Sequence, residues 1–216
     1  METVPTEMVD LDRERLLEAA LTQLGERGRG AMSVSGLAAA ADASVEEFST
    51  AYPDLDSCLA DAYELLTRRL FAAIQAGCAA DDELPTASER SWAARVRRGL
   101  EALLGGLVDD LGAARTLTIT YPSLGPVEQA RYQGFVEAIA ALMREQWKAD
   151  GGAGDLPDEV EMLAVGAAEA IVVEEIRAGR GGELRRMAPE ILFSVLVPYL
   201  GAAAATEEME RARLDR

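Results

Sequence analysis

Few residues in this chain have the types and spacing that chemistry needs. Its 216 residues include no histidine, which excludes a Ser-His-Asp triad, a Cys-His pair and any imidazole metal ligand, and removes the commonest general base. Carboxylates are plentiful, but the pairs Asp109-Asp110 and Glu174-Glu175 are sequence neighbours. Adjacent side chains on a helix point about 100° apart and make no carboxylate dyad. The runs Gly151-Gly152-Ala153-Gly154 and Gly179-Arg180-Gly181-Gly182 lack the strand before and the helix register after that a phosphate cradle requires. Arg90, Arg95, Arg97 and Arg98 crowd one stretch. They read as the solvated face opposite an apolar stripe, with an anion or nucleic-acid site as the alternative. These residues predict no enzyme, no cofactor and no metal.

One stretch does carry a pattern, Ser33 to Tyr52. Val34, Leu37, Ala38 and Ala41 hold the i, i+3, i+4, i+7 spacing of a buried helical face. A second short helix opens at Ser44, with Glu47 three residues on, the signature of a capping box. Ala41-Asp42-Ala43 must turn sharply between them, and aspartate visits the left-handed region more readily than most residues. Two short helices around such a turn suggest a helix-turn-helix whose second helix reads the major groove, or else an ordinary helical corner.

The elements that must position this stretch emerge from periodicity. Residues 1 to 9 read as a loose arm. A helix runs from Asp10 to Arg27, capped by Asp10 or Asp12, with Leu16, Leu17, Ala20, Leu21 and Leu24 on one face. Such a three-helix unit buries little by itself and must lean on the helices downstream of it. A long helix from Asp54 or Asp56 to Gly77 carries both cysteines, Cys58 and Cys78. Helical rise puts them roughly 30 Å apart, beyond disulfide reach, which suits a reducing cytoplasm. Asp81 to Pro85 reads as an acidic linker. A helix with Trp92, Val96, Leu100, Leu104 and Leu107 comes after a Thr86 or Ser88 cap. Thr116 to Tyr121 is a short helix closed by Pro122, and Val127 to Lys148, Asp158 to Ala178 and Leu184 to Leu200 are helices. The longest uncharged run, Ile191 to Thr206, has 16 residues interrupted by Pro198 and Gly201, short of a membrane span.

Acids outnumber bases 38 to 21, for a net charge of −17. Such a surface favours solubility and opposes non-specific attraction to nucleic acid or anionic lipid. Hydrophobic residues make up 49% of the chain and aromatic ones 5%, so a sizeable core is built mostly from aliphatic side chains.

The run Arg15-Leu16-Leu17-Glu18-Ala19-Ala20, then Gly28, Ser33-Val34, Leu37-Ala38, Ala41, Ser44, Phe48, Tyr52 and Leu59, resembles the N-terminal domain of the TetR/AcrR family of bacterial regulators. The resemblance implies an all-α protein of about nine helices. A three-helix helix-turn-helix domain, residues 1–53, would precede a larger helical ligand-binding and dimerisation domain, residues 54–216. It implies a ligand-responsive repressor binding operator DNA as a cytoplasmic homodimer, with DNA contacts at Ser33, Ser44, Val45, Glu46, Ser49 and Thr50. A head that no longer reads DNA, in a ligand sensor or protein-interaction module, is the alternative. Departures from the family pattern fall on that reading surface. Glu46, Glu47 and Ser49 replace the usual Gly, Thr and Tyr, and Leu55 stands where a lysine usually meets phosphate. Residues 1–57 hold four bases against twelve acids, and acids repel the DNA backbone.

The family's ligand would be small and apolar or amphipathic. Candidates for its lining are Tyr63, Phe71, Trp92, Tyr121, Tyr132 and Phe135, all of which serve equally as core. Glu169 lies beside an apolar stripe; it reads as an edge residue with its carboxylate in water, and if buried it requires a partner. The last two helices of such proteins pair with their symmetry mates. Leu163, Ala167 and Ile171, with Ile191, Leu192 and Val195, are the apolar residues expected there.

Overall fold

The computed structural model describes residues 6–79, 86, 91–152, 156–157 and 159–215, with side chains from Arg13 onward. The expected linker at Asp81–Pro85, the Ser88 cap, Arg90 and Asp158 lie outside the described residues. No strand occurs among those described. The α-helices are α1 (Thr6–Arg27), α2 (Val34–Ala40), α3 (Val45–Ala51), α4 (Leu55–Cys78), α5 (Trp92–Asp109), α6 (Leu111–Arg115), α7 (Pro126–Ala149), α8 (Val160–Arg177) and α9 (Ala188–Leu214). A π turn, Thr116–Thr120, succeeds α6, and 3-10 turns lie at Arg29–Ala31, Pro122–Leu124 and Gly181–Met187.

The chain forms two units, Met1–Arg68 with Gly112–Gln129, and Arg69–Leu111 with Ala130–Arg216. In the first, the leucine face of α1 is buried, as are Leu37, Ala38 and Phe48 of α2 and α3 and Leu55, Leu59 and Tyr63 of α4. The 112–129 segment completes the unit. Gly25 of α1 meets Gly112 so closely that a Cβ would stand 2.4 Å from the Gly112 carbonyl oxygen, and the buried Thr116 hydroxyl donates to the Leu21 carbonyl at 3.2 Å. Tyr121 stacks on Tyr63 with centroids 3.8 Å apart. Thus the head, expected to end at residue 53, continues into α4 and takes in a segment sixty residues downstream. Helix α1 starts at Thr6, inside the expected loose arm.

In the second unit, the end of α4 meets α5 through glycines: a Cβ on Gly77 would lie 2.7 Å from the Arg98 carbonyl, and one on Gly99 2.3 Å from Cys78 Sγ. Ser91 caps α5, accepting from Ala94 N–H at 3.2 Å, rather than Thr86 or Ser88. The arginines here are ties and do not form a solvated face. Arg98 donates to the Gly77 and Ala79 carbonyls at the end of α4, groups a helix leaves unsatisfied. The buried Arg95 pairs with Asp150 at 2.9 Å, and Arg97 pairs with Asp215.

Helix α9 breaks at Gly201, whose φ of 75° and ψ of 165° are open essentially to glycine alone. Beyond it, residues 202–214 fold back on 188–200, as the Arg213–Glu190 pair at 2.7 Å requires. Periodicity ends the helix at Leu200 and gives no place to this returning arm. The segment 181–214 is long and apolar enough by composition to cross a membrane. The break leaves Ala188 to Leu200 as about 20 Å of straight helix, less than a bilayer's hydrocarbon thickness, and its Ile191, Leu192, Val195 and Leu196 are buried in the protein core.

Candidate functional site

The helix-turn-helix is built by its caps. Ser33 has extended backbone, and its Oγ accepts from Gly36 N–H at 3.1 Å to start α2. At the far end Ala43 N–H reaches the Ala38 carbonyl at 2.9 Å and Asp42 N–H reaches Ala39 at 3.3 Å. Those bonds close a Schellman motif with Asp42 in the left-handed region at φ 54°. Ser44 and Glu47 form the capping box of α3: Glu47 N–H donates to Ser44 Oγ at 3.1 Å and Ser44 N–H to Glu47 Oε2 at 2.6 Å. These bonds hold the Glu47 carboxyl below its usual range.

Phe48 is the buried anchor of α3, so Val45, Glu46, Ser49 and Thr50 face outward. All six expected DNA-contact residues lie on the exposed surface. Ser49 and Thr50 already donate their hydroxyls to the Val45 and Glu46 carbonyls, at 2.8 and 2.9 Å. They present oxygen acceptors and, for Thr50, a methyl outward. Leu55 has a different role from the lysine it stands for: it is 6% exposed and belongs to the head's core. Asp54 caps α4, accepting from Ser57 N–H at 2.7 Å, which lowers its pKa. That carboxylate occupies a helix N-terminus that would otherwise favour a phosphate. Arg29 pairs with Asp56 at 2.8 Å, and Arg13 binds both Asp61 and the Tyr52 hydroxyl.

The ligand candidates separate by unit. Tyr63 and Tyr121 are stacked in the first; Phe71, Trp92, Tyr132, Phe135 and Glu169 belong to the second. Glu169 is half-buried and accepts from the Tyr132 hydroxyl at 2.7 Å. It therefore has an internal partner, contrary to the expected water-facing edge position. Trp92 packs against two rings outside the expected lining, Trp147 and Tyr199, with centroids 4.8 and 4.6 Å away. The periodicity that places them on helical faces carries no sign that the rings meet.

The expected pairing surface divides in the same way. Leu163 is 68% exposed, Met162 and Ala167 are exposed, and Ile171 is half-buried. Ile191, Leu192 and Val195 are buried within their own chain. The returning arm after Gly201 and the neighbouring helices already cover this part of α9, so those three residues are core and present no face to a second copy.

A capped helix-turn-helix head and an all-helical body define the fold of TetR-family transcriptional regulators. The regulator of fatty acid degradation FadR from Bacillus halodurans is 12% identical, with a TM-score of 0.71 over 93% of this chain and 98% of that one. A TetR-like transcriptional regulator from a Rhodococcus species is 18% identical, with a TM-score of 0.65 over 90% and 99%. A TetR-family regulator from Streptomyces coelicolor is 15% identical, with a TM-score of 0.61 over 99% and 91%. At these identities the likeness is one of fold. No family model matches the sequence, and no curated protein matches it.

Proposed function

We propose that this chain is a cytoplasmic transcriptional regulator, a repressor that binds operator DNA as a homodimer and is released by a small apolar or amphipathic ligand. The observation that carries this reading is α3: it is capped at Ser44, anchored by Phe48 and presents Val45, Glu46, Ser49 and Thr50 outward on one short helix. Glu46 suits cytosine N4 in the major groove, and Thr50 offers a methyl to thymine. Dimerisation falls to α8, where Leu163 and Ala167 are exposed at helical spacing. Ligand contact falls to Tyr132, Glu169 and Trp92 within the second unit, with Phe135 on the helix of Tyr132 and Phe71 on α4. The test is fluorescence anisotropy against duplexes from the protein's own upstream region at low salt. Saturable binding that weakens when Glu46 or Thr50 becomes alanine supports the reading, and no binding refutes it.

A second reading, that the head binds a protein and not DNA, is favoured by the ion pairs. Arg13 and Arg29 are turned onto Asp61 and Asp56, and Asp54 occupies the start of α4. Leu55→Lys is no test of it, since that side chain is buried. Asp56→Lys is the better probe, because its carboxylate is exposed. On the DNA reading the wild type binds its duplex; on the protein reading neither wild type nor variant binds specifically.

A further inference from the structure

Trp92, Trp147 and Tyr199 come from α5, α7 and α9 and pack ring against ring, with centroids between 4.6 and 5.3 Å apart. Trp92 is 2% exposed and Tyr199 9%. Trp92 Nε1–H and the Tyr199 hydroxyl are buried, and neither has a hydrogen-bond partner among the described residues. Two unmet donors on rings in contact are costly, and buried polar groups in native proteins are otherwise nearly always paired. The surrounding charge is already balanced. Arg95 pairs with Asp150 and Arg144 with the buried Glu161, at 2.9 and 3.0 Å. Burial pushes the Tyr199 pKa up and the Glu161 carboxylate adds to the rise, so the hydroxyl stays a donor.

We propose that this three-ring cluster is a subsite for an uncharged apolar molecule bearing a carbonyl oxygen. The two donors supply hydrogen bonds to that oxygen, and the rings supply apolar contact. A carboxylate is disfavoured because both guanidiniums already neutralise acids and Glu161 lies beside Tyr199. Trp147 is the half-buried ring of the three and the one that yields to admit a ligand. Its indole lies over Gly152, where a Cβ would come within 2.3 Å of the ring, so the turn after α7 is shaped to it. The inference rests on the ligand-responsive reading above and names the chemistry of its ligand.

The chain's two tryptophans are both in this cluster, so tryptophan emission reports on this site alone. The test titrates the full chain, without DNA, with 2-nonanone and separately with octanoate. The ketone is expected to shift the emission saturably and to bind more tightly than octanoate. Tyr199→Phe is expected to melt no lower than wild type and to weaken the ketone about five- to tenfold, the loss of one hydrogen bond. No shift up to the ketone's solubility limit, equal affinity in Tyr199→Phe, or tighter octanoate overturns the proposal. So does a Tyr199→Phe that melts far below wild type, since the hydroxyl would then have an internal partner. Failure here leaves DNA binding untouched, and loss of DNA binding leaves this titration readable.

Discussion

Replacing Gly25 by alanine tests whether the 112–129 segment is part of the head. An added Cβ would stand 2.4 Å from the Gly112 carbonyl oxygen and 3.0 Å from its Cα. Both are backbone atoms and cannot swing aside. The two segments must separate by about 1 Å, which forfeits a quarter to a half of the dispersion energy of contacts across the gap. Overpacking of this kind costs about 1–3 kcal/mol. Alanine returns up to about 1 kcal/mol because Gly25 lies inside α1. A net loss of about 1 kcal/mol lowers Tm by about 2–4 °C for a chain of this length. Circular dichroism melting at matched concentration measures it. Gly134→Ala is the control: it sits in α7 with nothing within 4 Å of the added Cβ, and is expected to raise Tm. A Gly25→Ala protein that melts at or above wild type refutes the close approach and the composition of the unit.

Ser44→Ala removes the capping box and is expected to cost about 1 kcal/mol, read by denaturant unfolding. Because Glu47 has a lowered folded-state pKa, its contribution is present above the ordinary glutamate range and is lost as pH falls through the folded value. The Tm difference between wild type and Glu47→Gln should therefore vanish in acid and be present at neutral pH. Leu55→Lys places an ammonium in the head's core and is expected to destabilise by more than about 2 kcal/mol, whereas Asp56→Lys stays near neutral. Leu163→Glu is expected to leave single chains by light scattering, while wild type runs at twice the mass. Burial pushes the Cys58 thiol up to about 12 and the Cys78 thiol up as well; both should resist thiol reagents until the chain is unfolded.

What the sequence made legible was local. The Ser44 cap, the turn at Asp42 and the leucine face of α1 each depend on residues within one or two helical turns, and each stands where periodicity and capping chemistry put it. What it hid depends on partners far along the chain. Arg95 looks like a surface charge until Asp150 folds onto it, and Glu169 looks water-facing until Tyr132 arrives. Leu55 occupies a position associated with phosphate contact, yet its apolar side chain turns inward. The apolar residues of α9 match a pairing surface in composition, yet Ile191, Leu192 and Val195 are buried within their own chain, where α9 packs on α8 and α5. A signal for the arm after Gly201 was present: Ala205, Met209 and Ala212 recur at helical spacing, and Ala205 and Ala212 are buried.

The most direct measurement is selection of the full-length protein against a random duplex library at low salt, with sequencing of the retained DNA. If α3 reads DNA, a two-fold symmetric site is enriched whose half-sites match the protein's own symmetry, and the enrichment is lost in a Glu46→Ala, Thr50→Ala double variant. A library that stays as random after repeated rounds as it began would contradict the claim that α3 reads DNA.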